Sequence, residues 1–312
     1  MVSRILIFRL GSASSHYREN RLTWLIRLLL LWMASCGAGA VRADTFDTQA
    51  AALLGKYASL GEHLQNNPFQ RPLYLESFEA ANDLSGNIYA VVDYPFTTVS
   101  AALHSADDWC EVLILHINTK YCRAAAGAAG TVLTVNIGKK YSQPLEDAYL
   151  LELSYRVAAA TPKYLEIQLN AAQGPLSTRN YRIKLQAVPL ESGRTFLHLT
   201  YSYGYGWVGK VAMKTYLATI GSGKVGFTVT GRKADGQPRY IGGMRGLAER
   251  NTMRYYLAID AYLGALAAAR FEKRLQSWYS TTERYSRQLH EVDWGEYLAM
   301  KRSEYQRQQK AR

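Results

Sequence analysis

The sequence has few of the residues and runs that mark small, extended or membrane-embedded proteins. It contains 3 cysteines and 8 prolines in 312 residues, of which 48% are hydrophobic and 20% charged. This balance is typical of a folded globular protein and excludes a disordered, collagen-like or polytopic membrane chain. A chain of this length can bury a large core without a metal ion or a disulfide. Because no internal repeat or low-complexity linker is present, one domain is the simplest expectation.

Catalytic and metal-binding motifs are also missing. There is no GxSxG, HExxH, HxH or CxxC motif, and the 5 histidines beyond residue 43 are spread over more than 200 positions. An enzyme needs a nucleophile with its base, a metal cluster or two carboxylates in register. The sequence therefore predicts no catalytic residue, no metal site and no cofactor, and it favours binding over catalysis.

The first 43 residues are typical of an export signal. Arginines precede the apolar run Leu28 to Ala34, which is too short to span about 30 Å of hydrocarbon as a helix. The small side chains of Val41 and Ala43 suit cleavage by signal peptidase. We therefore predict a soluble periplasmic protein with a cleaved signal peptide.

Two alternatives to soluble export remain open. The segment Met33 to Gly37 resembles a bacterial lipobox, which would anchor the protein through a lipid on Cys36. The other alternative is that the N-terminal segment is not cleaved and anchors the protein in the membrane.

Two cysteines remain once Cys36 is removed or lipidated. An even number of cysteines in an oxidising compartment predicts a disulfide between Cys110 and Cys122. Buried free thiols are an alternative. A reactive thiol or a metal-binding pair is a weaker alternative, because His104 and His116 are the only nearby histidines and they are scattered in the sequence.

Charge limits the choice of partners. Beyond residue 43 the chain has 31 basic and 24 acidic residues, a net charge of +7. Nucleic-acid binding would be expected to show a concentrated basic stripe, so nucleic acid is not an expected partner. Anionic lipid head groups or a negatively charged envelope surface are more natural partners, and a cationic surface without a partner is the alternative.

Hydrophobic periodicity predicts one helix followed by an antiparallel sheet. Apolar residues recur at helical spacing from Thr48 to Leu64. Strands with one apolar and one polar face are predicted at Glu111 to Lys120, Tyr149 to Val157, Leu165 to Asn170 and Tyr181 to Ala187. This alternation is typical of an antiparallel sheet that covers a core, and the short connections exclude a doubly wound parallel sheet.

The rest of the chain is predicted to be mainly helical. A helix is expected over Trp207 to Ile220, followed by a hairpin that turns at Asp235-Gly236. From Arg245 onward the sequence predicts helix, with breaks near Ala269 and at Val292 to Gly295.

The first C-terminal helix carries a stripe of small or apolar residues, which would let it lie close to a sheet or leave space beneath it. The members of this stripe are Leu247, Leu257, Ala258, Ala261, Ala265 and Ala268. Near its start, Glu249 is placed to pair with Arg245, whereas Arg250 and Arg254 have no acidic neighbour four residues away.

The region Gly86 to Trp109 is the most specific part of the sequence. A predicted strand, Gly86 to Tyr94, leads into Pro95-Phe96, a short helix at Thr97 to Leu103, and Asp107-Asp108-Trp109. This order resembles the entry of the START-like, or SRPBCC, helix-grip superfamily, and the element order resembles it from Arg71 to Ala269. The resemblance implies an α+β fold in which an antiparallel meander is gripped by a long C-terminal helix. The segments Leu115 to Cys122 and Glu249 to Tyr256 also resemble a group of exported proteobacterial proteins.

The resulting domain prediction has four parts. They are a signal peptide at 1–43, an N-terminal helix at 44–70, a START-like domain at 71–269 and a C-terminal helical extension at 270–312.

The START-like resemblance implies a cavity between the sheet and the gripping helix that holds a hydrophobic or amphipathic small molecule, and the net positive charge adds an anionic lipid as a possible ligand. Tight packing without a cavity is the alternative. Candidate ligand-binding residues are Trp109, His116, Asn118, Tyr201, Tyr203, Arg245, Arg250 and Arg254. Ordinary structural or solvent-facing roles are the alternative for each.

Two further functions remain open. One is an envelope scaffold that binds a protein partner through a second apolar stripe formed by Leu275, Trp278, Tyr285 and Leu289. The other is a cyclase-like enzyme that uses one polar cavity residue such as His116.

Overall fold

The computed structural model describes residues 45–218, 223–267 and 270–310. The predicted signal peptide and Cys36 lie outside these residues. From Gln49 onward the described chain forms one compact unit.

Eight antiparallel strands form the main sheet. They are β1 Leu73–Glu79, β2 Asp83–Val92, β3 Thr119–Gly127, β4 Gly130–Ile137, β5 Tyr149–Ala160, β6 Leu165–Gly174, β7 Thr178–Pro189 and β8 Thr195–Tyr205. Their order in the sheet is β1-β2-β8-β7-β6-β5-β4-β3. A separate hairpin consists of β9 Val229–Arg232 and β10 Pro238–Tyr240.

Nine α-helices accompany the sheet within the described residues. They are α1 at 45–59, α2 Gly61–Gln65, α3 Phe96–Ala102, α4 Ala106–Leu113, α5 Trp207–Ala218, α6 Gly243–Leu263, α7 Phe271–Glu283, α8 Ser286–Leu289 and α9 Trp294–Lys310. In the described ranges, no helix combines the length and the apolar content that a membrane span requires.

The alternation of apolar and polar residues places one continuous row of aliphatic side chains across the sheet. Ile167 lies opposite Leu185, which lies opposite Leu199, and the row continues through Ile88 to Leu75. All five side chains are buried. Because side chains in a strand alternate between faces, this register also sends the intervening polar residues to the other face.

The prediction of a strand at Glu111 to Lys120 is wrong. Glu111, Val112 and Leu113 lie in α4, residues 114–118 form turns, and β3 begins only at Thr119. Ser105 caps α4, because its hydroxyl accepts a hydrogen bond from the amide of Asp108 at 3.1 Å. The apolar residues of this segment are buried on both sides of the chain, so the apparent alternation did not report a strand.

The predicted disulfide is present. Cys110 in α4 and Cys122 in β3 are bonded, with 5.2 Å between their Cα atoms. The bond joins the second short helix to the edge strand of the sheet and closes a loop with a sequence separation of 12 residues.

Most later elements agree with the predictions, with shifted ends. The helix from Trp207 extends through Ala218, and the predicted end at Ile220 lies outside the described residues. Asp235-Gly236 forms the predicted hairpin turn, in which Gly236 has a positive φ of 80°. The N-terminal helix is interrupted at Leu60, between α1 and α2.

The C-terminal helices share the core of the sheet. Leu275, Trp278 and Leu289 of the second apolar stripe are buried, and Tyr285 packs against the same core. Arg274 of α7 forms a buried ion pair with Glu111 at 2.8 Å. The stripe proposed for a protein partner is therefore already covered by the domain itself.

Helix α6 packs mainly on β1, β2 and β8. A Cβ atom added at Gly86 of β2 would overlap the hydroxyl of Thr252 and approach the carbonyl oxygen of Ala248 to 3.2 Å. At Ala248 and Thr252 the helix therefore lies directly on the sheet, and the described members of the small-residue stripe are buried. The START-like helix-grip fold has a strand followed by two short helices, a meander and a long gripping helix. In this chain these elements are β2, then α3 and α4, then β3 to β8, and finally α6.

The contact at Gly86 can be tested by substitution. Gly86→Ala should lower the free energy of unfolding by about 1–3 kcal/mol, because α6 leaves no room for a methyl group. The control Gly55→Ala, at an exposed position of α1 with open space, should raise it by about 0.5–1 kcal/mol. Urea denaturation measures both, and equal effects would contradict direct packing.

Candidate functional site

Tyrosines replace aliphatic residues at one end of the inner face. Tyr201, Tyr203 and Tyr205 share this face of β8, and they meet Tyr181 of β7 and Tyr255 of α6. We call these five residues the tyrosine layer. The ring centroids of Tyr181 and Tyr203 are 5.2 Å apart, those of Tyr201 and Tyr255 are 5.3 Å apart, and the hydroxyls of Tyr181 and Tyr201 are hydrogen-bonded.

The tyrosine layer continues into an aliphatic surface. Leu169 of β6 lies opposite Ile183 of β7, which lies opposite Tyr201, which lies opposite Gly86. Burial raises the pKa of Tyr201 well above 10, so its hydroxyl stays neutral. The layer therefore combines apolar ring faces with a few neutral polar atoms, and Tyr201, Tyr203, Tyr205 and Tyr255 are buried within it.

Three cations converge on one carboxylate near the tyrosine layer. Glu291 accepts from Arg254 at 2.5 Å and from Lys140 at 2.6 Å, and Lys224 lies 3.5 Å from its second oxygen. We call these four residues the Glu291 cluster. The side chains of Arg254 and Glu291 are 1% and 8% exposed, whereas those of Lys140 and Lys224 are 19% and 27% exposed. The cluster is thus closed on the Arg254 side and reaches solvent on the lysine side.

The cluster holds three cations and one carboxylate. Burial, followed by the charge of Arg254, lowers the pKa of Lys140 to about 8, even though Glu291 opposes the shift. Burial alone would raise the pKa of Glu291, but Arg254 and Lys140 lower it, so the carboxylate is ionised.

Arg250 links the cluster to the tyrosine layer. It is buried, and its guanidinium donates to the carbonyl oxygen of Val225 at 3.2 Å. Its charge acts on both Lys140 and Tyr203. Two of the predicted ligand-binding arginines, Arg250 and Arg254, thus lie in one electropositive region.

His116 is buried beside this region, on the connection between α4 and β3. Its ring stacks on Tyr255 at a centroid distance of 4.6 Å, and Nδ1 accepts from the amide of Asn118 at 3.2 Å. Burial, followed by the charges of Arg254 and Lys301, lowers its pKa well below 6.5. The ring is therefore neutral with the proton on Nε2, which has no hydrogen-bond partner among the described residues.

Asn118 has a positioning role. Its side-chain amide donates to the carbonyl oxygen of Gly138 at 2.7 Å. This bond holds the start of the loop that carries Lys140.

Two of the predicted ligand-binding residues lie apart from the cluster. Trp109 is buried, and its indole N–H donates to the carbonyl oxygen of Leu103 at 3.0 Å. Arg245 lies at the edge of β1, in an open cleft. The predicted pairing of Glu249 with Arg245 is wrong, because Glu249 instead accepts from Ser77 and from the chain leading into β9.

Sequence reasoning missed three members of the Glu291 cluster. Lys140, Lys224 and Glu291 come from segments far apart in the chain, and no motif joins them. The only signal was indirect, because Arg254 lacked an acidic neighbour on its own helix.

The dependence of Arg254 on Glu291 can be measured. Glu291→Gln should lower the free energy of unfolding by about 3 kcal/mol, since it leaves a buried guanidinium without a charged partner. Glu272→Gln, which breaks the exposed pair with Arg302, is the matched control and should cause no measurable change. Thermal denaturation compares the two, and a stable Glu291→Gln variant would refute the role of the pair.

Comparisons with known proteins add similar structures but no family. No model of a known protein family matches this sequence, and no curated protein sequence matches it significantly. Truncated norcoclaurine synthase from Thalictrum flavum is 12% identical, with a TM-score of 0.31 over 45% of this chain and 84% of that chain. Human StAR-related lipid transfer protein 5 is 8% identical, with a TM-score of 0.31 over 56% of this chain and 90% of that chain.

A protein from Arthrobacter aurescens is 13% identical, with a TM-score of 0.30 over 62% of this chain and 92% of that chain. Because these identities and TM-scores are low, the fold of this chain is assigned from its own topology. By its strand order and the position of α6, the chain has a START-like helix-grip fold.

Proposed function

We propose that this protein binds an amphipathic small molecule with an apolar body and an anionic end. The anionic end pairs with the Glu291 cluster, and the body lies against the tyrosine layer and the aliphatic inner face beside it. The observation that carries this proposal is the convergence of three cations on a single buried carboxylate.

The charge balance favours a second anion. Buried charges are costly unless they are paired, and Glu291 supplies one negative charge against the three positive charges of Arg254, Lys140 and Lys224. Arg254 remains bound to Glu291, whereas the partly exposed lysines are reachable from solvent. A carboxylate, sulfonate or phosphate at the lysines would relieve the excess through charge-assisted hydrogen bonds.

The inner face supports the apolar part of the proposal. Direct contact of α6 with β2 at Gly86 leaves no space for a ligand there. Beyond the tyrosine layer, the inner residues of the meander are aliphatic and buried, among them Leu133, Leu153 and Leu169. The ligand body is therefore proposed to lie toward the meander and not beneath the part of α6 that covers Gly86.

We also propose that the protein is exported. The disulfide between Cys110 and Cys122 supports an oxidising compartment, where such bonds persist. The sequence of the first 43 residues supports a cleaved signal peptide, with lipid attachment at Cys36 as the alternative.

Native mass spectrometry of the protein expressed as its full chain tests the binding proposal. The wild type should carry a co-purified anionic amphiphile that the double variant Lys140→Met, Lys224→Met has lost. Lys139→Met is the matched control, because Lys139 is adjacent to Lys140 but exposed, and it should retain the ligand. A wild type that is empty and also takes up no anionic amphiphile would contradict the proposal.

The titration of Lys140 predicts a pH dependence. A lysine is charged below its pKa, so the affinity for an anion should fall as the pH rises through about 8. For 1-decanesulfonate, whose charge is constant, the affinity should fall by up to about tenfold between pH 7 and 9. Isothermal titration calorimetry measures this, and Lys140→Met should remove most of the dependence while Lys139→Met preserves it. A flat wild-type profile would exclude Lys140 as a contact.

A further inference from the structure

A second candidate site is an open cleft along the edge of β1. Its volume is about 480 Å³, within the range of roughly 300–1,000 Å³ that is typical of small-molecule sites. The cleft is bounded by the turn after α2, by β1 and by the chain that enters β9. Its apolar lining includes Phe69, Leu73, Tyr74, Leu75, Phe78 and Phe227.

Arg245 is the arginine of this cleft, whose lining also includes His63 and the acidic Glu76. It lies in the first turn of α6, and its Nε donates to the hydroxyl of Ser77 at 3.1 Å. Within the described chain, no carboxylate forms an ion pair with Arg245, and its two terminal nitrogens have no hydrogen-bond partner. One side of the guanidinium is therefore fixed by the protein, while its two terminal nitrogens can still donate two parallel hydrogen bonds to a carboxylate.

Glu249 explains why this arginine has no ionic partner. Its buried carboxylate accepts from the hydroxyl of Ser77 at 2.7 Å, from the amides of Phe227 and Thr228 at 2.6 and 2.9 Å, and from the hydroxyl of Thr228 at 2.7 Å. These neutral donors occupy both carboxylate oxygens. They also fasten β1 and the entry to β9 to α6, so the two walls of the cleft are held in place.

The mouth of the cleft exposes apolar surface. Phe78 and Val229 are 55% and 51% exposed, although most large apolar side chains of the described chain are buried. A ligand body that covers these side chains would remove apolar surface from water. Charge and apolar surface thus occur in the same cleft.

We propose that this cleft binds a small carboxylic acid with an aromatic or similarly apolar body. The carboxylate accepts two hydrogen bonds from the guanidinium fork of Arg245, and the body packs on Phe69 and Phe227. This site is separate from the Glu291 cluster, because none of the four residues of that cluster lines the cleft.

The test compares two probes with the same ring system, 2-naphthoate and the neutral 2-naphthamide. Ligand-observed NMR titration of the wild type should show naphthoate binding at least about tenfold more tightly. Arg245→Gln should remove this preference. The double variant Lys140→Met, Lys224→Met should keep it, which separates this site from the one proposed above.

A second variant blocks the space and not the charge. Val229→Trp places a larger side chain at an exposed position of the mouth, so the fold should be retained, as circular dichroism would verify, while both probes lose affinity. Equal affinities of the two probes for the wild type would overturn the proposal. So would an Arg245→Gln variant that keeps the preference, or loss of the preference in the lysine double variant.

Discussion

The pairing of buried and half-buried charges on α6 with distant segments is the constraint on which the rest of the structure depends. Glu249 binds β1 and the chain entering β9, Arg254 binds Glu291 after α8, and Asp260 binds Arg71 before β1 at 2.9 Å. A charge removed from water must find a partner of opposite charge or a full set of hydrogen bonds. A helix with such residues therefore brings together the sheet edge, the hairpin and the C-terminal helices, and its small residues allow the close contact with β2.

The same constraint explains where ligands are proposed to bind. Glu249 is satisfied by neutral donors, which leaves Arg245 without an ionic partner at the edge of β1. Glu291 is shared by three cations, which leaves positive charge beside the tyrosine layer. At Arg245 the positive charge has no ionic partner, because Glu249 binds neutral donors. At Glu291 there is more positive than negative charge, because one carboxylate binds three cations. Apolar surface borders each site, so both favour molecules that combine an anionic group with an apolar body.

Local patterns predicted the elements well where a single face is buried. The meander strands, the helix at Trp207 and the turn at Asp235-Gly236 follow from alternation, helical spacing and glycine geometry. The same reasoning failed at Glu111 to Lys120, where the chain is buried on all sides and apolar residues no longer report a period. Among the candidate site residues, the structure buries Arg250 and Arg254, for which the sequence offered no acidic neighbour on α6, and it places Trp109 in the core with a backbone hydrogen bond.

The amino-acid sequence by itself determined the antiparallel sheet, the pairing of Cys110 with Cys122 and the element order of a helix-grip fold, because these depend on neighbours in the chain or on simple counting. Only the tertiary structure decided that Arg254 of α6 meets Glu291 and which other cations surround that carboxylate. Those partners are separated by tens of residues up to more than one hundred. Coulombic and hydrogen-bond partners over such separations are chosen by how helices and strands pack, which no local pattern encodes.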